Sequence, residues 1–294
     1  MERQPMPTTK TRWPALAAAR SHDKTRLPFV MGATVVGSVA RAQVQALAAF
    51  AQWLHIEPDR ITLACTAETR DETLAGINLA LRDAGHIVAW RDETYAVVLQ
   101  HGEPPHALIE RAASRFWGTL TFGAHCNGYV AGEGGRPTHL WIARRSFDKP
   151  TDPGLLDNLV GGGVPWNQTP FETLVREGWE EAGLSPAQMR EARPGSVLEL
   201  LRDIPEGLQH EHLFAFDLRL PPEVRPVNQD GEVCELHRMP VDEAIGRAAS
   251  GEMTVDAALV TLDFALRHRL LPPDEHEALH AALQPLHLRP ASSG

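Results

Sequence analysis

The chain lacks the features that would place it in several protein classes. Among its 294 residues there are only three cysteines, Cys65, Cys126 and Cys234. They are far apart, odd in number and set in apolar stretches. They read as reduced core residues, not as a disulfide framework or a zinc site. No apolar run approaches the about 18 residues that a membrane-spanning helix needs. Positive charge is not in excess either: 28 Lys and Arg face 38 Asp and Glu, a formal net charge of −10. That balance argues against a nucleic-acid backbone as partner. These absences lead to the expectation of a cytoplasmic protein with neither membrane nor nucleic acid as partner. The remaining composition, 43% hydrophobic and 22% charged, is ordinary for a globular protein.

At this length the chain suits two domains, or one with a large extension. Residues 1–26 carry six Lys/Arg and two Asp/Glu. Such a stretch imitates a transit peptide, but Pro5, Pro7 and Pro14 argue against a clean amphipathic helix. A flexible tail is expected there. Residues 27–117 read as a small α+β domain. A hairpin is expected at 28–39, helices at 41–54, 69–84 and 105–116, and strands at 60–65 and 94–100. No phosphate-binding glycine pattern accompanies them, so this part has no catalytic signature of its own. Residues 118–285 read as a second domain. Strands at 119–130 and 139–145 flank a glycine-rich turn, and further strands follow at 196–202, 209–220 and 232–238. Helices at 242–249 and 255–269 complete a mixed sheet between helical layers. Residues 286–294 are expected to be a tail.

The stretch from Gly161 to Leu184 is the most informative. Thr169 is a good N-cap, Pro170 suits the first helical position, and Glu172 completes a capping box. Gly183 stops the helix, so it spans about residues 170–182. Phe171, Leu174, Val175, Gly178 and Ala182 form one stripe, with Trp179 at its margin. Glu177, Glu180 and Glu181 lie on the opposite side as neighbours. Three like charges repel one another, and a hard divalent cation resolves that repulsion because Mg²⁺ takes carboxylate and phosphate oxygens. On an ordinary surface helix the same row is a solvated acidic face. The glycines directly before it shift the reading, because they let a backbone carbonyl reach a metal or a phosphate approach closely.

Gly162, five residues, Gln168, seven residues and then Arg176-Glu-Gly-Trp-Glu-Glu-Ala-Gly-Leu184 resembles the Nudix box. The general pattern is Gly-x5-Glu-x7-Arg-Glu-U-x-Glu-Glu-x-Gly-U, with U a bulky aliphatic residue. Gln168 stands in place of its first Glu, and Gly178 stands at its first U. The resemblance implies an α/β/α sandwich with a mixed sheet, behind the small α+β domain. It also implies a hydrolase of diphosphates linked to an organic moiety. Glu180 and Glu181 would be metal ligands, Glu177 a ligand or general base, Arg176 its orienter and the Gly161 carbonyl a further ligand. The cofactor implied is Mg²⁺, with Mn²⁺ as the alternative.

The flanks narrow the resemblance. Trp90-Arg-Asp-Glu-Thr-Tyr95, His125-Cys-Asn-Gly-Tyr129, Trp141-Ile-Ala-Arg-Arg-Ser146, Lys149-Pro-Thr151, Pro153-Gly-Leu-Leu-Asp-Asn-Leu-Val160 and Asp230-Gly-Glu-Val233 are similar to one Nudix subgroup. It includes proteins related to thiamine pyrophosphokinase that carry an extra N-terminal domain. The likeness covers about residues 28–272, and the first box Glu is commonly missing in that subgroup too. Its eukaryotic members are associated with hydrolysing thiamine diphosphate and its damaged analogues to the monophosphate, which is the substrate implied here.

Other residues are candidates on their own chemistry. Glu232 enters a strand from a polar turn, where many Nudix enzymes place a further ligand or base; Asp230 is the weaker candidate. Arg144, Arg145 and Lys149 precede the box and are cations suited to a terminal phosphate. Trp166 lies in the box loop and can stack on a substrate ring. His210 and His212 alternate on one strand and point the same way. No third soft ligand lies near them in sequence, so they read as substrate contacts or surface. The alternative substrates are ADP-ribose, a dinucleotide or a nucleotide sugar. A non-catalytic sensor would be expected to lose box carboxylates, and all three are kept. An isomerase of the superfamily would use cysteine chemistry, and Cys126 and Cys234 have no evident activating neighbours. The N-terminal domain is expected to cover the pocket, to mediate a homodimer, or both.

Overall fold

A computed structural model describes residues 13–149 and 151–288. A short helix, α1 (Pro14–Ala18), comes first. Strands β1 (Leu27–Met31), β2 (Thr34–Val39), β3 (Leu54–Ile56) and β4 (Ile61–Leu63) then form a sheet in the order β2-β1-β4-β3. Helix α2 (Arg70–Asp83), the antiparallel pair β5 (Thr94–Val97) and β6 (Ala107–Glu110), and helix α3 (Arg111–Trp117) follow. Phe29 stacks on Trp117 with centroids 4.3 Å apart, in a core that includes Ile61, Leu74 and Ile77. The buried Trp117 indole N–H donates to Asn78 Oδ1 at 2.7 Å, so this polar pair is satisfied.

The larger sheet holds β7 (Leu120–Ala131), β8 (Pro137–Arg145), β9 (Leu156–Asp157), β10 (Val160–Gly163), β11 (Arg193–Ile204), β12 (Gly207–Arg219) and β13 (Val233–Pro240). Its order is β11-β12-β7-β8-β13, with β10 beside β7 and β9 beside β8. β12 runs parallel to β7 and the other pairs are antiparallel, so the sheet is mixed. Alternate side chains pack two different layers. Phe122, Ala124, Cys126 and Phe216 face α4 (Pro170–Ala182) and α5 (Pro186–Met189). Leu140, Ile142, Leu198 and Leu213 face α6 (Val241–Ser250), α7 (Val255–Arg267) and α8 (Pro273–Leu283). This is the expected three-layer α/β/α sandwich with an α+β unit before it. Buried residues run without a break from Ala257 to Leu266, so α7 is apolar nearly all round because it is covered on every side. Among the described residues no helix is long and apolar enough to cross a membrane.

Helix α4 forms as its sequence dictates. Thr169 Oγ1 accepts from Glu172 N, Glu172 returns a bond to Thr169 N, and Gly183 ends the helix at φ 63°. Gly178 stands where the resemblance expects a bulky aliphatic residue because α5 occupies that space: a Cβ there would lie 2.5 Å from Met189 Sδ.

Several expectations are corrected. Residues 41–54 do not form an α-helix; Arg41–Phe50 is 3-10, and only Leu47 of it is buried. Alanines offer no broad apolar stripe for an α-helix to bury. Residues 105–116 split into β6, whose alternate residues are buried, and α3, capped by the Glu110 carboxylate accepting from Ala112 N. The expected tail of residues 1–26 is ordered in its second half. Trp13, Ala15 and Ala19 are buried against the helical layer, and Leu201 N and Asp203 N donate to Ala19 O and Ser21 O along the edge of β11. Residues 1–12 lie outside the described residues. Residues 286–288, expected to belong to a C-terminal tail, are ordered instead, since Leu286 is buried and Leu288 N donates to Val197 O; residues 289–294 lie outside the described residues. Residues 160–163 are a strand and not a loop. Cys126 is buried, Cys65 half-buried and Cys234 exposed, so Cys234 is not a core residue; all three are free thiols.

Candidate active site

The site forms where β10 meets α4. β10 lies along β7 with Gly161 opposite His125 and Gly162 opposite Ala124. A Cβ on Gly162 would stand 2.3 Å from Glu177 Oε1, so only glycine lets that carboxylate rest on the strand. Gly161 N–H donates to Glu181 Oε2 at 2.8 Å. The structure therefore joins Gly161 to the acidic row through its N–H. Arg176 spans the other two acids, with Nη2 2.8 Å from Glu177 Oε1 and Nη1 2.7 Å from Glu180 Oε2.

The row is not a solvated face. Glu181 is only 5% exposed. Burial pushes its carboxyl well above the usual range, and Glu177 and Asp157 add to that, against the Gly161 N–H and Lys149. Burial also raises Glu177, to about 7, with Glu180 adding and Arg176 opposing. Two desolvated acids, one of which raises the other, form a hard, all-oxygen donor set, and the bare backbone of Gly162 leaves room beside them. These residues fit a divalent cation of the Mg²⁺ type. Glu180, the most open of the three, faces Arg176.

Glu232 reaches the same region. Lys149 Nζ binds Glu232 Oε2, and Arg91 Nη1 lies 3.6 Å from Oε1. Burial works to raise the Glu232 carboxyl, but Lys149, Arg91 and Arg111 outweigh it and hold the pKa below its ordinary value. Asp230 builds the turn instead, accepting from Glu232 N and Asn228 Nδ2. Arg145 binds Asp157 Oδ2 at 3.0 Å and two loop carbonyls, and lines a small polar cavity with Arg111, His125 and the three glycines of β10. Arg144 is not brought to the site. The strand alternates, and its guanidinium binds Glu235 and Gly154 O on the other face. Trp166 lines an apolar cavity of about 230 Å³ with Tyr95, Val98, His101, Phe122 and Gln168. His125, Asn127 and Asn158 form a buried polar network with Thr261 that ties the sheet to α7.

Sequence reasoning missed the contribution of the first unit. Arg91, Glu93, Tyr95 and Arg111 all stand at the site. Arg111 Nη1 lies 3.0 Å from Glu93 Oε2, and its guanidinium is 5.7 Å from the Tyr95 ring centroid. A Cβ on Gly163 would fall 2.0 Å from Tyr95 Oη and 3.1 Å from Arg111 Cζ. The segment 90–95 carried part of the resemblance and was the available signal for three of them. Arg111 had none.

Carboxylates held between a capped helix and a bare glycine strand, faced by half-buried cations, have the chemistry of a cation-assisted hydrolase. Comparison with known proteins agrees. Residues 124–260 match the NUDIX domain, and residues 10–121 match a domain of unknown function, DUF4743. The chain is 32% identical over 261 residues to Nudix hydrolase 20, chloroplastic, of Arabidopsis thaliana, covering 84% of this chain and 69% of that protein. It is 36% identical over 208 residues to Nudix hydrolase 24, chloroplastic, of the same plant, covering 70% and 56%. An uncharacterized protein of Saccharomyces cerevisiae is 32% identical over 200 residues, covering 64% and 58%. The chain thus spans little more than half the length of the latter two. It belongs to the Nudix hydrolase family, whose members generally use divalent cations.

Proposed function

We propose that this Nudix hydrolase cleaves the diphosphate of a ring-bearing organic molecule, thiamine diphosphate or a damaged analogue of it, to the monophosphate. The observation that carries this reading is the apolar cavity walled by Trp166, Tyr95 and Phe122 beside the box loop. It offers aromatic faces to a ring, while the acidic row takes the diphosphate end. The segments at 90–95, 141–146, 153–160 and 230–233 support placing the chain in the thiamine pyrophosphokinase-related subgroup.

Glu177, Glu180, Glu181 and the Gly161 carbonyl would hold Mg²⁺, or Mn²⁺ in its place. When bound, the ion supplies charge neutralisation at phosphorus and a more acidic water. The chain's own groups do the rest. Arg176 orients Glu177, which accepts the water proton. Lys149, Arg145 and Arg111 offer positive charge to the phosphate oxygens. Glu232 keeps Lys149 and Arg91 in position.

The test is Trp166→Ala with two substrates, thiamine diphosphate and a simple alkyl diphosphate. KM for the ring-bearing substrate should rise by about 10-fold or more, as for a lost aromatic stack of about 1.5 kcal/mol. The alkyl diphosphate should be turned over as before. Equal effects on both substrates would remove the cavity from the account.

A further inference from the structure

The antiparallel pairing of β11 and β12 sets Glu199 opposite His212. His210 and His212, two residues apart, share one face of β12. One donor atom each from Glu199, His210 and His212 lies within 4.8 Å of the other two. His210 Nε2 is 3.9 Å from Glu199 Oε1, and the two imidazole centroids are 6.1 Å apart. Both rings are half-buried, and no hydrogen bond to a described residue occupies either of them. The third ligand that the sequence did not offer is supplied by strand pairing.

We propose that Glu199, His210 and His212 form a second metal site, which takes a borderline transition-metal ion, with Zn²⁺ the best match. Two imidazole nitrogens and one carboxylate oxygen suit Zn²⁺, whereas Mg²⁺ prefers oxygen alone. The donors stand on two hydrogen-bonded strands, so little conformational freedom is lost on binding. A further imidazole is close by. His22 and His210 line the same groove of about 400 Å³, and the buried His22 Nδ1 has no hydrogen-bond partner. The site shares no residue with the acidic row. It touches the substrate region through packing: the His212 ring meets Phe122 edge-on with centroids 5.8 Å apart, and Phe122 walls the apolar cavity.

The full chain, stripped of metal with a chelator, is titrated with Zn²⁺ in excess Mg²⁺, which occupies the acidic row. Wild type should bind one equivalent of Zn²⁺, and Glu181→Gln should bind it equally. The double variant His210→Gln/His212→Gln should lose affinity by more than the about 10–100-fold that removing a group around a ligand costs. Unchanged binding in the double variant overturns the proposal, as does the absence of Zn²⁺ binding in wild type. A second measurement needs no variant. X-ray absorption at the zinc edge of wild type with one equivalent should show scattering from two imidazole rings. A shell of oxygen alone would overturn the site.

Discussion

Gly162 and Glu177 meet where no side chain fits between them. A Cβ on Gly162 would lie 2.3 Å from Glu177 Oε1 and 2.6 Å from Cγ. Gly162→Ala must therefore push the Glu177 carboxylate aside. A displacement of about 1 Å at a catalytic group can cost about 10²-fold, and that is the fall expected in kcat/KM. Stability should drop by about 1–3 kcal/mol, as for other overpacked positions. Gly76→Ala is the control: nothing lies within 4 Å of its Cβ, in the middle of α2. It should gain about 0.5–1 kcal/mol and keep full activity. Full activity in Gly162→Ala would mean that Glu177 does not work from this position.

Arg91 brings the first unit to the candidate site. Its guanidinium lies 3.6 Å from Glu232 Oε1, across from Lys149 on the other oxygen. Arg91→Ala should lower kcat/KM by about 10-fold or more without altering the far-ultraviolet circular dichroism, because a charged group facing the phosphate region is lost from the surface of its own unit. An unchanged kcat/KM would assign the first unit a role away from the chemistry.

Metal should stabilise the fold more at high pH than at low. The Glu177 carboxyl titrates near 7 in the fold against an ordinary 4.5, so the unfolded chain releases its proton first. Without metal, the stability that Glu177 contributes falls as pH rises from about 4.5 through 7. Glu181 acts in the same direction. A divalent cation binds the ionised pair and offsets this loss. Thermal unfolding with and without Mg²⁺ should show a larger gain in Tm at pH 8 than at pH 5. Equal gains at both would separate these acids from the metal.

Acid should weaken the sandwich where α7 packs on β12. Arg267 joins two buried carboxylates, Asp263 through Nε at 2.6 Å and Asp217 through Nη2 at 3.0 Å. Burial works to raise both acids, but Arg267, His268, His287 and Ser196 outweigh it and hold both below the ordinary 3.8. Their folded pKa values are depressed, so this stability is fully present above about pH 4 and is lost as pH falls further. Arg267→Ala should cost about 3–5 kcal/mol at pH 7, because it leaves two buried acids without their cation. Urea unfolding across pH 2.5–7 checks both statements. A cost under about 1 kcal/mol, the level of exposed pairs, would contradict them.

What was legible in the sequence was local. The capping box, the glycine stop and the acidic row of α4 depend on neighbours within four residues, and all are present. Long-range pairing was not legible. The burial of Glu181 depends on β10, twenty residues away, and Arg111 reaches the site from the first unit. Glu199 joins the histidines only through the register of β11 and β12. Segment 14–18 has too short an apolar pattern to announce the α7 surface that it covers. At 105–116 Pro104 and Pro105 favour a helix start, while pairing with β5 makes 107–110 a strand.

Product analysis tests the central claim most directly. Purified protein with Mg²⁺ would be given thiamine diphosphate, its oxidised analogues, ADP-ribose, NADH and nucleoside triphosphates, and the products resolved by mass spectrometry. The account predicts the highest kcat/KM for the thiamine-type diphosphates, with monophosphate and phosphate as products, and loss of turnover in Glu181→Gln. A preference for ADP-ribose or NADH would contradict the substrate, and normal turnover in Glu181→Gln would contradict the site.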